Sequence, residues 1–238
     1  MVSKKKTLGI SHTDLTDIKP ITDNQKEVFT HYQKGQNLFL YGVAGTGKTF
    51  VALYNALKDV LDPKSPRERV YIVRSLLPTR DIGFLPGDEE DKSYLYQVPY
   101  QNMVRFMFKQ PDERSFEQLY NNLRNQGTID FLSTSFLRGI TIDNGVIIVD
   151  ECQNLNFHEL DTIMTRVGQD TKIIFAGDIQ QTDLTKTNDR NGILDFVNIM
   201  QQMKEVDCIE FDLNDIVRSG MLKSYLIEKI KLGLHYNE

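Results

Sequence analysis

Nowhere in the 238-residue chain is there an apolar run near the roughly 20 residues that a membrane-spanning helix requires. The opening residues MVSKKKT are basic but no apolar segment follows them, so a flexible basic arm over residues 1–19 is expected rather than a secretory signal. Only two cysteines are present, Cys152 and Cys208, and their separation fits neither a metal motif nor a redox motif. An excess of positive charge is also missing: the net charge of −5 excludes a surface that binds nucleic acid indiscriminately. A local basic track is still compatible with the sequence, because arginines gather between Arg67 and Arg138 while acids cluster at residues 88–91. Internal repeats and low-complexity tracts are absent. What remains is a globular composition, 40% hydrophobic and 26% charged, of a length suited to one α/β domain with additions or at most two small domains.

Short β-branched runs without alternation, the pattern of buried parallel strands, occur at 38–41, 70–73, 129–132, 146–149, 172–176 and 206–211. Helix-like stretches lie between and around them at 25–33, 49–61, 97–108, 115–125, 157–167 and 192–204. This alternation predicts an α/β fold, a doubly wound and mostly parallel sheet with helices on both faces. Residues 76–91, rich in glycine, proline and charge, read as a long functional loop. The tail from 214 reads as helical, with Met221, Leu222, Leu226 and Ile230 at helical spacing, either packed on the domain edge or making a subunit contact.

The most informative stretch is GVAGTGKT at 42–49, a G-x-x-x-x-G-K-[ST] loop between an apolar strand and a helix. Its glycines let the backbone bend around phosphates, and its amides and the following helix N-terminus point at negative charge. Lys48 is placed to reach the β- and γ-phosphates, and the Thr49 hydroxyl to ligate Mg²⁺. VIIVDE at 146–151 is an apolar strand ending in two carboxylates. Asp150 would hold the metal shell, and Glu151 would polarise a water for in-line attack on the γ-phosphorus, which favours hydrolysis over transfer to a second substrate. A third strand ends in G-D-x-x-Q, where Asp178 is a positioning residue and Gln181 is placed to touch γ-phosphate and water. Gln25 offers a side-chain amide to an adenine edge, while Thr22 or Asp23 caps the helix beginning there. The nucleotide-contacting set is therefore Gln25, Gly42, Gly45, Thr46, Gly47, Lys48, Thr49 and Phe50, with Thr49 and Asp150 as metal ligands.

Two loops after strands supply arginines, hydroxyls and aromatics suited to gripping phosphates and stacking bases: Arg74, Arg80 and Phe84 in one, and Ser133, Thr134, Phe136 and Arg138 in the other.

These motifs, in this order, resemble the PhoH family of P-loop ATPases, relatives of superfamily 1 helicase motors. GVAGTGKT, GFLPGD at 83–88, RGITIDNGVIIVDECQN at 138–154, FAGDIQQTDL at 175–184 and DIVRS at 215–219 carry the resemblance. Cys152 stands where family members usually have alanine, also a small residue. The resemblance implies a single RecA-like core over residues 20–238, ATP hydrolysis with ATP and Mg²⁺ as cofactors, a homo-oligomeric ring (typically a hexamer) and action on single-stranded RNA or DNA. The nucleotide site makes the cytoplasm the expected compartment. The resemblance also assigns Arg218 to the late arginine that completes catalysis. That arginine either folds back on its own site or serves a neighbour's, and the shortness of the remaining chain favours the neighbour in a ring. The competing expectations are an ATP-gated switch with slow turnover and a P-loop kinase.

Overall fold

The computed structural model describes residues 9–74, 89–134, 137, 139–179, 187–218 and 220–232. Among them, β1 (Asn37–Gly42), β2 (Arg69–Arg74), β3 (Ile129–Leu132), β4 (Gly145–Asp150), β5 (Lys172–Gly177) and β6 (Val206–Phe211) form one sheet in the order β3-β2-β4-β5-β1-β6. Every adjacent pair is parallel. All six expected strands are present, because a strand buried on both faces has no room for the polar half of an alternating pattern.

Successive side chains still divide between two cores, as the period of two requires. Leu38, Leu40, Val70, Ile72, Val146, Ile148 and Ile174 face one layer with Val28, Leu53, Leu57, Tyr100 and Phe116. Phe39, Val73, Ile147, Val149, Ile173 and Phe175 face the other, with Leu160, Ile163, Phe196 and Met200. The first layer is built by α1 (Asp23–Gln33), α2 (Lys48–Val60), α3 (Glu89–Met107) and α4 (Glu113–Asn125), and the second by α5 (Phe157–Met164) and α6 (Thr187–Gln202). α7 (Gly220–Lys231) follows β6 and leaves Met221 and Tyr225 largely exposed. None of these helices is long and apolar enough to cross a membrane.

α3 begins at Glu89 rather than near Gln97, and it carries Pro99 inside it. The charged run before Gln97 has no apolar period, so only the buried second half of the helix is marked in the sequence. Within the span expected to be a flexible arm, residues 9–18 pack on the domain. Leu15 joins the core, Thr16 N donates to Met107 O (2.8 Å), and the Tyr54 hydroxyl donates to Thr16 O (3.1 Å) while accepting from Ile18 N (3.2 Å). Because all strands run the same way, their C-terminal ends share one edge. A doubly wound sheet binds its ligands there.

Candidate nucleotide site

The phosphate loop starts where β1 runs out against β6. At Gly42 the backbone turns to φ 115°, and a Cβ there would lie 2.1 Å from Phe211 O, so only glycine fits. Val43 N then donates to the same Phe211 carbonyl (3.0 Å), fixing the first bend of the loop. Gly47, left-handed at φ 85°, is the N-cap of α2 and supplies no side-chain cap to the first turn. The first amides of a helix have no intrahelical acceptor, which suits them to an anion. Lys48 is folded into this loop: Nζ donates to Gly42 O (2.7 Å) and Val43 O (2.8 Å), and it is only 8% exposed. Burial lowers its pKa, and the nearby charges of Asp178, Glu151 and Asp150 oppose that shift. The ammonium therefore lies within electrostatic reach of acids from two strand ends.

The Thr49 hydroxyl donates to Asp150 Oδ1 at 2.7 Å, which joins the start of α2 to the end of β4. Asp150 Oδ2 accepts from the Tyr100 hydroxyl at 2.6 Å. Burial and the neighbouring Glu151 raise the Asp150 pKa, and the two hydroxyl bonds act in the opposite direction. A buried carboxylate and a hydroxyl in contact form an oxygen-only donor set. Together these features fit Mg²⁺, which takes one or two protein oxygens and completes its octahedron with phosphate and water.

Glu151 sits at φ 51°, ψ 41°, a left-handed conformation that costs a residue other than glycine on the order of 1 kcal/mol or more. That turn breaks the strand and leaves the carboxylate half-exposed. Gln153 holds it: Nε2 donates to Glu151 Oε2 (2.6 Å), and Oε1 accepts from Asp178 N (3.1 Å). The carboxamide thus bridges the ends of β4 and β5. The approach is close at Gly177, where a Cβ would meet Gln153 Oε1 at 2.4 Å and push the carboxamide aside.

Several expected contacts take a different form. Gln25 is buried with its carboxamide engaged at both ends, Nε2 donating to Thr46 O (2.9 Å) and Oε1 accepting from Ile21 N (2.9 Å). It ties α1 to the phosphate loop, and one N–H and one oxygen lone pair of the carboxamide remain for a further partner. Thr46 is fully buried and its hydroxyl donates to Val43 O (2.9 Å), so its side chain shapes the loop. The Phe50 ring, half-buried, packs edge-on against Phe106 of α3, centroids 5.7 Å apart. Arg74 departs furthest from expectation. Instead of standing on a strand-binding loop, its guanidinium lies 5.9 Å from the centre of the Tyr96 ring and beside Tyr100. Tyr100, Asp150 and Glu151 raise its pKa against the effect of burial. The reason is register: Arg74 is the β2 partner of Asp150. Thr134 donates to Glu159 Oε1 (3.2 Å) and Ser133 is half-buried. Gln181, Arg80, Phe84, Phe136 and Arg138 lie outside the described residues.

Arg218 lies beside Gly45 of its own chain, where a Cβ would come within 3.1 Å of its Cγ. Val217 N donates to Gly45 O (3.2 Å), so the segment after β6 is fastened to the phosphate loop. Two site residues, Tyr100 and Gln153, carry no mark in the sequence. Tyr100 looks like one more core aromatic on a helix, and Gln153 like a turn residue after the acids.

The family model described as PhoH-like protein matches residues 17–229. Protein PhoH2 of Bacillus subtilis (strain 168) is 36% identical over 161 residues, covering 66% of this chain and 35% of that protein. Protein PhoH of Escherichia coli (strain K12) is 31% identical over 219 residues, covering 90% of this chain and 59% of that protein. The chain thus spans roughly one third to three fifths of the length of the curated relatives it matches. Among solved structures, the large terminase of a thermophilic bacteriophage superposes with a TM-score of 0.51 at 12% identity, over 87% of this chain and 50% of the terminase chain. That likeness is one of fold, a RecA-like P-loop core.

Proposed function

Because the chain belongs to the PhoH-like protein family, we propose that it hydrolyses ATP with Mg²⁺ and couples the reaction to single-stranded RNA or DNA. The observation that carries the hydrolytic part is the meeting of Lys48, the Thr49–Asp150 pair and the Gln153-held Glu151 at one sheet edge. In the reaction, Lys48 exchanges its loop carbonyls for the β- and γ-phosphate oxygens, and Thr49 and Asp150 hold the cation. Bound there, Mg²⁺ would neutralise the charge shared between the β- and γ-phosphates. Glu151 accepts a proton from the water that attacks the γ-phosphorus in line, and ADP leaves with the bridging oxygen. Gln181 is the proposed γ-phosphate sensor, since it follows β5 in the chain, and Asp178, the residue just after that strand, is already linked to Glu151 through Gln153.

Arg218 is the arginine that completes the site, from within the same chain, where its side chain lies beside Gly45, or from a neighbour in a ring. A homo-oligomeric ring, a hexamer by family resemblance, draws further support from α7, where Met221 is 87% and Tyr225 59% exposed. Strand contact is assigned to the segments that follow β2 and β3, on the same edge as the nucleotide. The residues assigned to that contact are Arg80, Phe84, Ser133, Thr134, Phe136 and Arg138.

The test is ATP turnover with and without single-stranded RNA and DNA. A several-fold stimulation that fades as salt is raised supports a strand-coupled motor. Turnover indifferent to either strand would instead support an ATP-gated switch, and no turnover under any condition would remove the hydrolytic assignment.

A further inference from the structure

Asp150 is gripped on both oxygens by hydroxyls from different helices, Thr49 of α2 on Oδ1 and Tyr100 of α3 on Oδ2. The two grips differ in kind. Thr49 belongs to the phosphate loop and is itself a cation ligand, so its bond to Oδ1 is one that metal binding rearranges. Tyr100 has no such second task. It is 2% exposed, its ring meets Phe131 of β3 edge-on with centroids 5.4 Å apart, and its hydroxyl points at Oδ2. Behind it stands Arg74, opposite Asp150 in the β2–β4 register. A carboxylate held on one oxygen by a fixed donor cannot rotate freely about its Cβ–Cγ bond, and the other oxygen is left aimed at the phosphate loop.

We propose that Tyr100 is a positioning residue for the metal site. Its hydroxyl bond to Oδ2 fixes the Asp150 carboxylate with Oδ1 turned toward Thr49 and so sets the affinity of the nucleotide complex for Mg²⁺. The role is that of an outer partner whose loss commonly lowers metal affinity by about 10- to 100-fold. It rests on the Mg²⁺–nucleotide reading of this site.

The experiment compares the full chain with Tyr100→Phe, which keeps the ring and its packing and removes only the donor. Binding of a non-hydrolysable ATP analogue is measured by calorimetry, first in chelator and then across a Mg²⁺ titration, with a thermal melt alongside. Expected for Tyr100→Phe is a Mg²⁺ half-saturation raised by about ten-fold or more, with metal-free nucleotide affinity unchanged. An unchanged Mg²⁺ half-saturation would overturn the proposal. An equal loss of affinity with and without the metal would overturn it too, because that is the signature of general distortion. Failure of the wild-type chain to bind the analogue, or to bind it more tightly with Mg²⁺, would overturn the underlying nucleotide reading, a result visible before any variant is made.

Discussion

Arg218 rests against Gly45 of the same chain, its Cγ 3.1 Å from where a Cβ on that glycine would stand. The contact is reinforced next door, where Val217 N bonds to Gly45 O. The contact keeps the Arg218 side chain at the phosphate loop, where the proposed role needs a cation. Arg218→Ala should therefore lower ATP turnover on the order of 10³-fold, the lower end of what a transition-state arginine contributes. Mixing Arg218→Ala chains with Lys48→Ala chains checks the origin of the arginine. If each site uses its own Arg218, the mixture stays inactive, and recovered turnover would show that the arginine crosses between chains.

Removal of the proposed general base should separate binding from chemistry. Glu151→Gln is expected to bind ATP as the wild type does and to hydrolyse it almost not at all, while Lys48→Ala should weaken triphosphate binding itself. Equilibrium binding of a fluorescent ATP analogue, set beside single-turnover hydrolysis, distinguishes the two effects. Full turnover in the Glu151 variant would take that residue out of the reaction.

Gln153 holds Glu151 in its left-handed turn and receives Asp178 N on its other end. Gln153→Ala frees the carboxylate and leaves the Asp178 amide without its acceptor. The expected result is a kcat reduced roughly 10- to 100-fold with KM for ATP nearly unchanged, since the lost contact serves the transition state and not ground-state binding. Steady-state kinetics at saturating Mg²⁺ would measure it, and a rise in KM alone would refute it.

Gly42 is a stability test of the loop. An added Cβ would meet Phe211 O at 2.1 Å in a backbone conformation that other residues avoid. Gly42→Ala should cost about 2–3 kcal/mol and lower the melting temperature by roughly 5–10 °C. The loss should be present without nucleotide, which a purely phosphate-contacting role for Gly42 would not produce.

The strands were legible because burial on both faces writes itself as uninterrupted apolar runs, and the phosphate loop because its geometry demands glycines at fixed places. Asp150 and Glu151 followed from their position at the end of such a run. What could not be read was lateral register. Arg74 looks basic and terminal in the sequence, and only the pairing with Asp150 across β2 and β4 turns it toward the acids. Tyr100 was hidden for a related reason: a buried tyrosine on a helix satisfies the core pattern whether or not its hydroxyl has a partner. Gln25 was legible as a polar residue near the site, yet its bonds to Thr46 and Ile21 depend on how α1 packs, which no local pattern encodes. Residues 9–18 read as an arm because their few apolar side chains have no period, although Leu15, Ile10 and Ile18 pack on the core and backbone bonds fasten them.

The opposite end of the sheet carries a separate prediction about pH. Lys172, at the start of β5, is 7% exposed, donates to Tyr32 O (2.5 Å) and lies 3.8 Å from the centre of the Tyr32 ring. Burial lowers its pKa to about 8, Arg67 adds to the shift, and Asp59 opposes it. The sign follows from proton counting. Below pH 8 the lysine is charged in both the folded and unfolded chain, so the full cost of burying the charge falls on the folded state. Between pH 8 and the ordinary lysine value of 10.5 the unfolded chain binds more protons than the folded one, and stability contributed by this group rises with pH. Lys172→Met keeps the stem and removes the titration. Denaturant unfolding at about pH 7 and pH 9.5 should show the wild type gaining roughly 1–2 kcal/mol relative to the variant over that interval. Because the other titrating groups are common to both chains, the difference between the two slopes isolates Lys172. Parallel slopes would mean that the ammonium keeps its ordinary pKa and that its contact with Tyr32 outweighs the burial.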